Sequence, residues 1–201
     1  MTVADAKSFL RKAALARRDS LSAAERAAVA QAIAAHDLPV ALDVGAIVAG
    51  YAAVRSEIDP VPLMQVLAAR GARLALPAVV ASDASLVFRA WSVAAPSFLG
   101  RFGIAEPAAD APVVVPQIIL IPLAAFDRGG QRIGYGAGYY DRTLAGLHTQ
   151  GQRPITIGIA AAVQEIERVP ALPHDAPLDY IATERELIKT RSTQVADSLH
   201  R

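Results

Sequence analysis

The sequence has no cysteine. That removes disulfides, thiolate metal sites and cysteine nucleophiles together, and it suits a reducing compartment. Lysine is scarce, occurring only as Lys7, Lys12 and Lys189, and a GxxxxGK[ST] phosphate loop is therefore ruled out. Aromatic residues are 5% of the chain, so a hydrophobic fraction of 53%, much of it alanine, has to supply the core. Neither sign of charge dominates. Twenty basic and 19 acidic residues leave a net charge of +1, which excludes the one-sided footprint of a general nucleic-acid binder. Long apolar runs are also missing: the best, Ala111 to Phe126, is broken by Gln117 and three prolines, whereas a spanning helix needs ~20 apolar residues. Lys7, Arg11, Lys12, Arg17 and Arg18 punctuate the N-terminus and leave no signal-peptide core. These absences predict a cytoplasmic protein that contacts neither membrane nor nucleic acid.

With 201 residues, the chain is expected to form a single domain over 1–201. Val3 to Arg18 has apolar residues at helical spacing with basic ones between them, the pattern of an amphipathic helix. Ser22-Ala23-Ala24-Glu25 is a capping box that opens a second helix to about His36. Val44–Tyr51 reads as a buried strand, Pro62–Arg70 as a helix ended by Gly71, and Arg73–Leu76 and Leu86–Trp91 as strands. Ala94 to Pro116 is proline-rich and irregular. Ile118–Ala125 is the best central strand, followed by a helix over Gly138–His148 and a strand over Ile155–Ala160. The alternation, with few charges in the strands, predicts an α/β fold with a mostly parallel sheet covered by helices on both faces. Such a three-layer arrangement is Rossmann-like. The polar segment from Thr190 to Arg201 is expected to be a flexible tail.

The informative stretch runs from Phe126 to Arg142 and contains Arg132-Ile133-Gly134-Tyr135-Gly136-Ala137-Gly138-Tyr139-Tyr140-Asp141-Arg142. It leaves the carboxyl end of the strongest strand and enters a helix, where open α/β sheets bind ligands. Glycines 134, 136 and 138 let backbone N–H groups approach a ligand, and the helix start favours an anion such as phosphate. Arg132 adds a forked cation. The spacing is GxGxG, so the dinucleotide fingerprint GxGxxG is absent. A plain turn with flexible glycines is the alternative. Asp141 admits two roles: a carboxylate that complements the helix dipole by ~0.3–1 kcal/mol, or one that holds Mg2+ between itself and bound phosphates. Trp91 is expected in the core.

The loop closely resembles the signature of the 5-formyltetrahydrofolate cyclo-ligase family. Four further pieces follow the family's order: Lys7-Ser8-Phe9-Leu10-Arg11, the Tyr51–Pro60 segment with Ser56-Glu57-Ile58-Asp59, Phe102-Gly103-Ile104-Ala105-Glu106-Pro107, and Leu172-Pro173-His174-Asp175 with Leu178-Asp179. The resemblance spans about residues 7–184. It implies an ATP-dependent ligase with ATP as co-substrate and Mg2+ as cofactor, a small-molecule folate substrate, and no partner protein beyond a monomer. Lys7 and Arg11 would contact phosphates, and their spacing of four puts both on one helix face. Arg132, Ile133, Gly134, Tyr135, Gly136, Ala137, Gly138, Tyr139 and Tyr140 would bind ATP. Arg132 and Tyr139 would serve catalysis, Ala52, Glu57 and Tyr139 the folate, and Asp141 and Asp175 the metal. His174 would be a neighbour of the metal residues. Ala137 stands where the family often has glycine or lysine, so that charge would have to come from Arg132 or Arg142.

The resemblance also implies the chemistry. The formyl oxygen would take the γ-phosphoryl group of ATP, and ring closure would expel phosphate from the resulting imidate. Two other classes fit less well: a non-enzymatic ligand-binding regulator, and a coenzyme A transferase or sugar-phosphate isomerase, for which no nucleophilic glutamate motif is found.

Overall fold

The computed structural model describes residues 2–38, 40, 42–100, 102–172 and 175–190. A seven-stranded sheet runs through the molecule in the order β11-β10-β9-β6-β1-β2-β3. The strands are β1 (Ile47–Ala49), β2 (Arg73–Ala78), β3 (Val87–Trp91), β6 (Ile118–Pro122), β9 (Ile155–Ile159), β10 (Tyr180–Ala182) and β11 (Leu187–Lys189). The five inner strands pair in parallel, and only the outer pairs β2–β3 and β10–β11 are antiparallel. The mostly parallel sheet read from the sequence is present.

Helices cover both faces. Helices α2 (Ala23–Ala34) and α3 (Val61–Ala69) place Val29, Ile33, Leu63, Met64 and Leu67 on Val48, Leu120 and Ile157. Helix α4 (Tyr139–Thr149) places Leu144 on the opposite face, against Ala49, Phe88, Ile119 and Ile121. Neighbouring positions of β1 and β6 thus feed different cores, as the two-residue side-chain period of a strand requires. Helix α1 (Val3–Asp19) lies apart, on Ala125, Ile133 and Val169.

Local chemistry accounts for the boundaries. Ser22 Oγ accepts from the Glu25 N–H and the Glu25 carboxylate accepts from the Ser22 N–H, so the expected capping box opens α2. A second box, Thr2 with Asp5, opens α1. Gly71 follows α3 at φ +96°, where only glycine is unstrained. The apolar run expected as one strand to Ala125 breaks after Pro122, and β7 (Ala125–Phe126) instead pairs with β8 (Arg132–Ile133). The buried Gln164 side chain donates to the Leu123 and Ala124 carbonyls at the break, satisfying the groups that leave the ladder.

Three other expectations change. The 94–116 stretch is not wholly irregular, because β4 (Phe98–Leu99) pairs with β5 (Ala105–Glu106). Strands β10 and β11 lie where the sequence suggested nothing. Thr190 belongs to the fold and not to a tail: it is buried, and its hydroxyl donates to the Leu178 carbonyl at 2.6 Å. The remainder of the expected tail, 191–201, lies outside the described residues. No helix among the described residues is long and apolar enough to cross a membrane.

The central pair fixes where chemistry can occur. From β1 the chain goes through α3 to β2 on one side, and from β6 through α4 to β9 on the other. The β1–β6 seam is therefore a topological switch point, whose carboxyl-end crevice is the ligand site of open α/β sheets. Gln117 anchors the seam. Its backbone N–H donates to the Ile47 carbonyl at 2.9 Å, and its side-chain Oε1 accepts from the Ile47 N–H at 2.5 Å.

Candidate active site

Both segments singled out in the sequence emerge at this seam. The chain leaving β1 forms a tight turn over 54–57. Glu57 N–H donates to the Val54 carbonyl at 3.1 Å, and the Glu57 carboxylate accepts from the Val54 N–H at 2.9 Å. Arg55 occupies the turn at φ +55°, the only non-glycine residue in the left-handed region among those described. Ala52 is half-buried just before the turn. The chain leaving β6 passes through β7 and β8 into the glycine loop and then α4.

A hydrogen-bond relay joins these two segments. The Tyr135 hydroxyl, from the loop, accepts from Arg18 Nη1 at 2.6 Å and interacts electrostatically with the Glu57 carboxylate. Arg18 Nε donates to Ser56 Oγ at 3.1 Å, and Ser56 in turn donates to Asp19. Only 2% of Arg18 is exposed, although it ends an otherwise solvated basic face of α1. Sequence reasoning missed it. Charge spacing along α1 could not reveal that its partners are Ser56 and Tyr135, distant in sequence.

Burial pushes the Glu57 carboxyl above its ordinary value, against the lowering effect of the Val54 N–H, the Tyr135 hydroxyl, Arg18 and Arg55. Burial likewise pushes the Tyr135 and Tyr140 hydroxyls up, with Glu57 adding to both. The three groups thus act on one another from a partly desolvated region. Tyr140 also packs into the α4-side core.

The residues expected to meet phosphate surround the loop. Gly136 and Gly138 are left-handed, at φ +99° and +66°, and Ala137 between them is not. Gly138 is the N-cap of α4 and supplies no side-chain cap. Arg11 Nε donates to the Gly134 carbonyl at 2.7 Å, and Lys7 Nζ, one turn earlier, meets Asp175 at 2.5 Å. Arg132 is 92% buried, donating to Asp141 Oδ1 at 2.7 Å and to the Ala176 carbonyl. It ties β8 to the first turn of α4 and to the 175–178 segment. Two of the three expected cations, Lys7 and Arg132, thus form ion pairs with the two expected metal residues, Asp175 and Asp141, while the third, Arg11, binds the loop backbone.

Other residues are placed differently. The Ile133 side chain is buried against α1, so only its backbone faces the loop's work. Tyr139 has Phe102 edge-on at 6.2 Å and the Arg142 guanidinium over its ring at 5.1 Å. The β4–β5 hairpin thus reaches the loop, carrying exposed Phe98, Leu99 and Phe102. A cleft of about 550 Å³ lies behind it, lined in part by Val79, Arg89, Phe98 and Glu106. A second cleft of about 560 Å³, between Val3, Asp127 and Arg168, contains none of the expected site residues. Asp127 there is satisfied by the Gly129, Gln131 and Val169 N–H groups and is structural. Trp91 is half-buried against the α2–α3 core, as expected. His174 lies outside the described residues.

Comparison with known proteins accords with this geometry. Residues 3–184 match the model of the 5-formyltetrahydrofolate cyclo-ligase family. A 5-formyltetrahydrofolate cyclo-ligase of Mycolicibacterium smegmatis is 33% identical over 188 residues, covering 88% of this chain and 93% of that one. The Escherichia coli K12 protein of the same name is 33% identical over 141 residues, 68% of this chain and 76% of that one. The solved structure of Aquifex aeolicus 5,10-methenyltetrahydrofolate synthetase superposes with a TM-score of 0.74 at 31% identity, covering 92% of this chain and 93% of that one. With its fold, its loop and nearly all its length matched, this chain belongs to the 5-formyltetrahydrofolate cyclo-ligase family.

Proposed function

We propose that this chain converts 5-formyltetrahydrofolate and ATP into 5,10-methenyltetrahydrofolate, ADP and phosphate. The observation that carries the reading is the buried Arg18, which holds the turn after β1 through Ser56 at 3.1 Å and the glycine loop through Tyr135 at 2.6 Å, and so fixes the two segments side by side. On this reading the loop holds ATP and the turn holds the folate. Glu57 accepts from the amino and ring N–H groups of the pterin, and Ala52 and Tyr139 line the same side. Tyr139 presents its ring to the substrates, and Arg132 and Lys7 supply positive charge along the phosphates.

A formyl amide is a poor electrophile and its oxygen a poor leaving group. Phosphorylation solves both problems. The formyl oxygen attacks the γ-phosphorus and the bond to ADP breaks, leaving an imidate phosphate on the N5 carbon. N10 then bonds to that carbon, its proton leaves, and the C–O bond breaks to release phosphate. No protein nucleophile is required, so the chain's contribution is orientation and charge stabilisation.

Mg2+ belongs to this reading as the partner of ATP. The oxygen donors Asp141 and Asp175 fit it, since magnesium takes one or two carboxylates and completes its shell with phosphate oxygens and water. When bound there, the ion neutralises phosphate charge. Arg132 and Lys7 orient the two carboxylates toward the loop through the ion pairs at 2.7 and 2.5 Å. The test is the near-ultraviolet band of 5,10-methenyltetrahydrofolate, followed with 5-formyltetrahydrofolate and purified protein. Growth only with Mg–ATP supports the reading. Absence of the band, with both ligands bound in calorimetry, would make the chain a ligand-binding regulator.

A further inference from the structure

Among the described residues five cations crowd the glycine loop, and four of them have partners. Lys7 pairs with Asp175, Arg132 with Asp141 and the Ala176 carbonyl, Arg11 with the Gly134 carbonyl, and Arg18 with the Tyr135 hydroxyl and Ser56. Arg142 differs: its Nε and Nη2 are buried and carry no hydrogen bond. The guanidinium lies over the Tyr139 ring, 5.1 Å from its centroid. Its Nη1 is 2.9 Å from where a Cβ on Gly138 would stand, so it is folded back against the N-cap of α4.

This is an uncomfortable place for a cation. Contact with an aromatic face offsets part of the charge, but it satisfies none of the N–H donors. A half-buried arginine with two buried, unsatisfied nitrogens is a costly arrangement that native structures avoid unless something completes it. The missing complement is an anion with several acceptor oxygens, because guanidinium donors form a fork that grips two oxygens at once. The loop beside it has no lysine to provide that grip.

We propose that Arg142 binds the terminal phosphates of the nucleotide, an assignment that rests on the ATP reading above. The guanidinium stands where left-handed Gly138 lacks a Cβ, and the Arg11 guanidinium stands 3.8 Å from the corresponding position on left-handed Gly136, so the two cations line one glycine turn. Gly138→Ala would drive its Cβ onto Arg142 Nη1. The competing anion of similar chemistry is a carboxylate of the folate's glutamate end.

Calorimetry on the full chain distinguishes them, using ATP, ADP, AMP and 5-formyltetrahydrofolate against Arg142→Gln and Arg142→Lys. Losing a charge-assisted pair weakens binding by about 10- to 100-fold. Arg142→Gln should lose that factor for ATP and stay within about twofold for AMP and for 5-formyltetrahydrofolate, with Arg142→Lys intermediate for ATP. Melting of the ligand-free protein supplies the structural control, because removing an unpaired buried cation should leave the midpoint unchanged or raise it. Undiminished ATP binding by Arg142→Gln would overturn the proposal. So would a loss confined to 5-formyltetrahydrofolate, which would put Arg142 on the glutamate carboxylates. A lowered midpoint with all four ligands weakened would make Arg142 a packing residue and overturn it as well. If the unaltered protein binds no ATP, the nucleotide reading fails together with this one.

Discussion

Replacing Glu57 by glutamine should stabilise the protein and cripple it. Glu57 is 9% exposed, and burial raises its pKa above the ordinary 4.5 despite the Val54 N–H, the Tyr135 hydroxyl and two nearby arginines. A raised pKa means the folded state holds the proton more tightly than the unfolded chain. Between pH 4.5 and the folded value, the native protein therefore binds more protons, and its stability falls as pH rises through that window. Each pKa unit of elevation amounts to about 1.4 kcal/mol of destabilisation at neutral pH. Glutamine does not titrate, so Glu57→Gln should melt above the unaltered protein at pH 7, with the difference shrinking as pH falls toward 4.5. Its amide oxygen can still accept from the Val54 N–H, but its NH2 then faces the pterin's donors. One charge-assisted hydrogen bond is lost, about 1.5–3 kcal/mol, or roughly 10- to 150-fold in kcat/KM at limiting folate. Product absorbance at varied 5-formyltetrahydrofolate and thermal unfolding from pH 4 to 8 measure both sides. An unchanged folate KM would remove Glu57 from the substrate site, and a lower melting midpoint at pH 7 would refute the burial argument.

Asp141→Ala should reduce turnover by about 100-fold or more, a general scale for removing one preorganised charge-stabilising group, while 5-formyltetrahydrofolate binding by calorimetry changes little. Full turnover at saturating Mg2+ would exclude Asp141 from the site. Arg18→Met should raise the folate KM several-fold and affect the ATP KM less, because Arg18 bonds Ser56 in the Glu57 turn and its charge acts on the Glu57 carboxylate. In a Tyr135→Phe background the same change should cost less than it does alone, and full additivity in that cycle would break the Arg18–Tyr135 link. Gly50→Ala should cost about 1–3 kcal/mol by overpacking, since a Cβ there would fall on the Met64 sulfur. Urea unfolding measures it, and a midpoint matching the unaltered protein would show that Met64 yields freely.

Much of this was legible in the sequence where the signal is local. Ser22 and Glu25 declare a helix start because the two groups that satisfy each other are three residues apart. Gly71 declares a helix end because few other residues accept φ +96°. The glycine loop stands out for the same conformational reason. The misses are non-local. Strands β10 and β11 have three residues each, too few to show a period, and exist because Tyr180 and Ile181 pair with Ile157 and Gly158. Leu123 and Ala124 looked like part of a longer strand, but their carbonyls are taken up by Gln164, which meets Ala124 from 40 residues downstream. The loop's residues were visible one by one. That Arg132 and Lys7 would each already face a carboxylate was not, since Lys7 and Asp175 are 168 residues apart.

The seam between β1 and β6 has a consequence for reaction distance. Only Val48–Ile118 and Ala49–Ile119 are in register there, yet these two rungs set how far the turn bearing Glu57 stands from the loop. A strand advances roughly 3.3 Å per residue. A slip of one residue would turn every side chain to the wrong face and be rejected by both cores. A slip of two would keep each on its proper face and still carry acceptor and donor roughly 6.6 Å out of line, beyond the ~3–3.5 Å contact that a near-attack arrangement needs. Core packing is blind to that error. Gln117 is not, because it grips Ile47 through both its main chain and its side chain, and so a single amide spells out the separation at which two substrates can react.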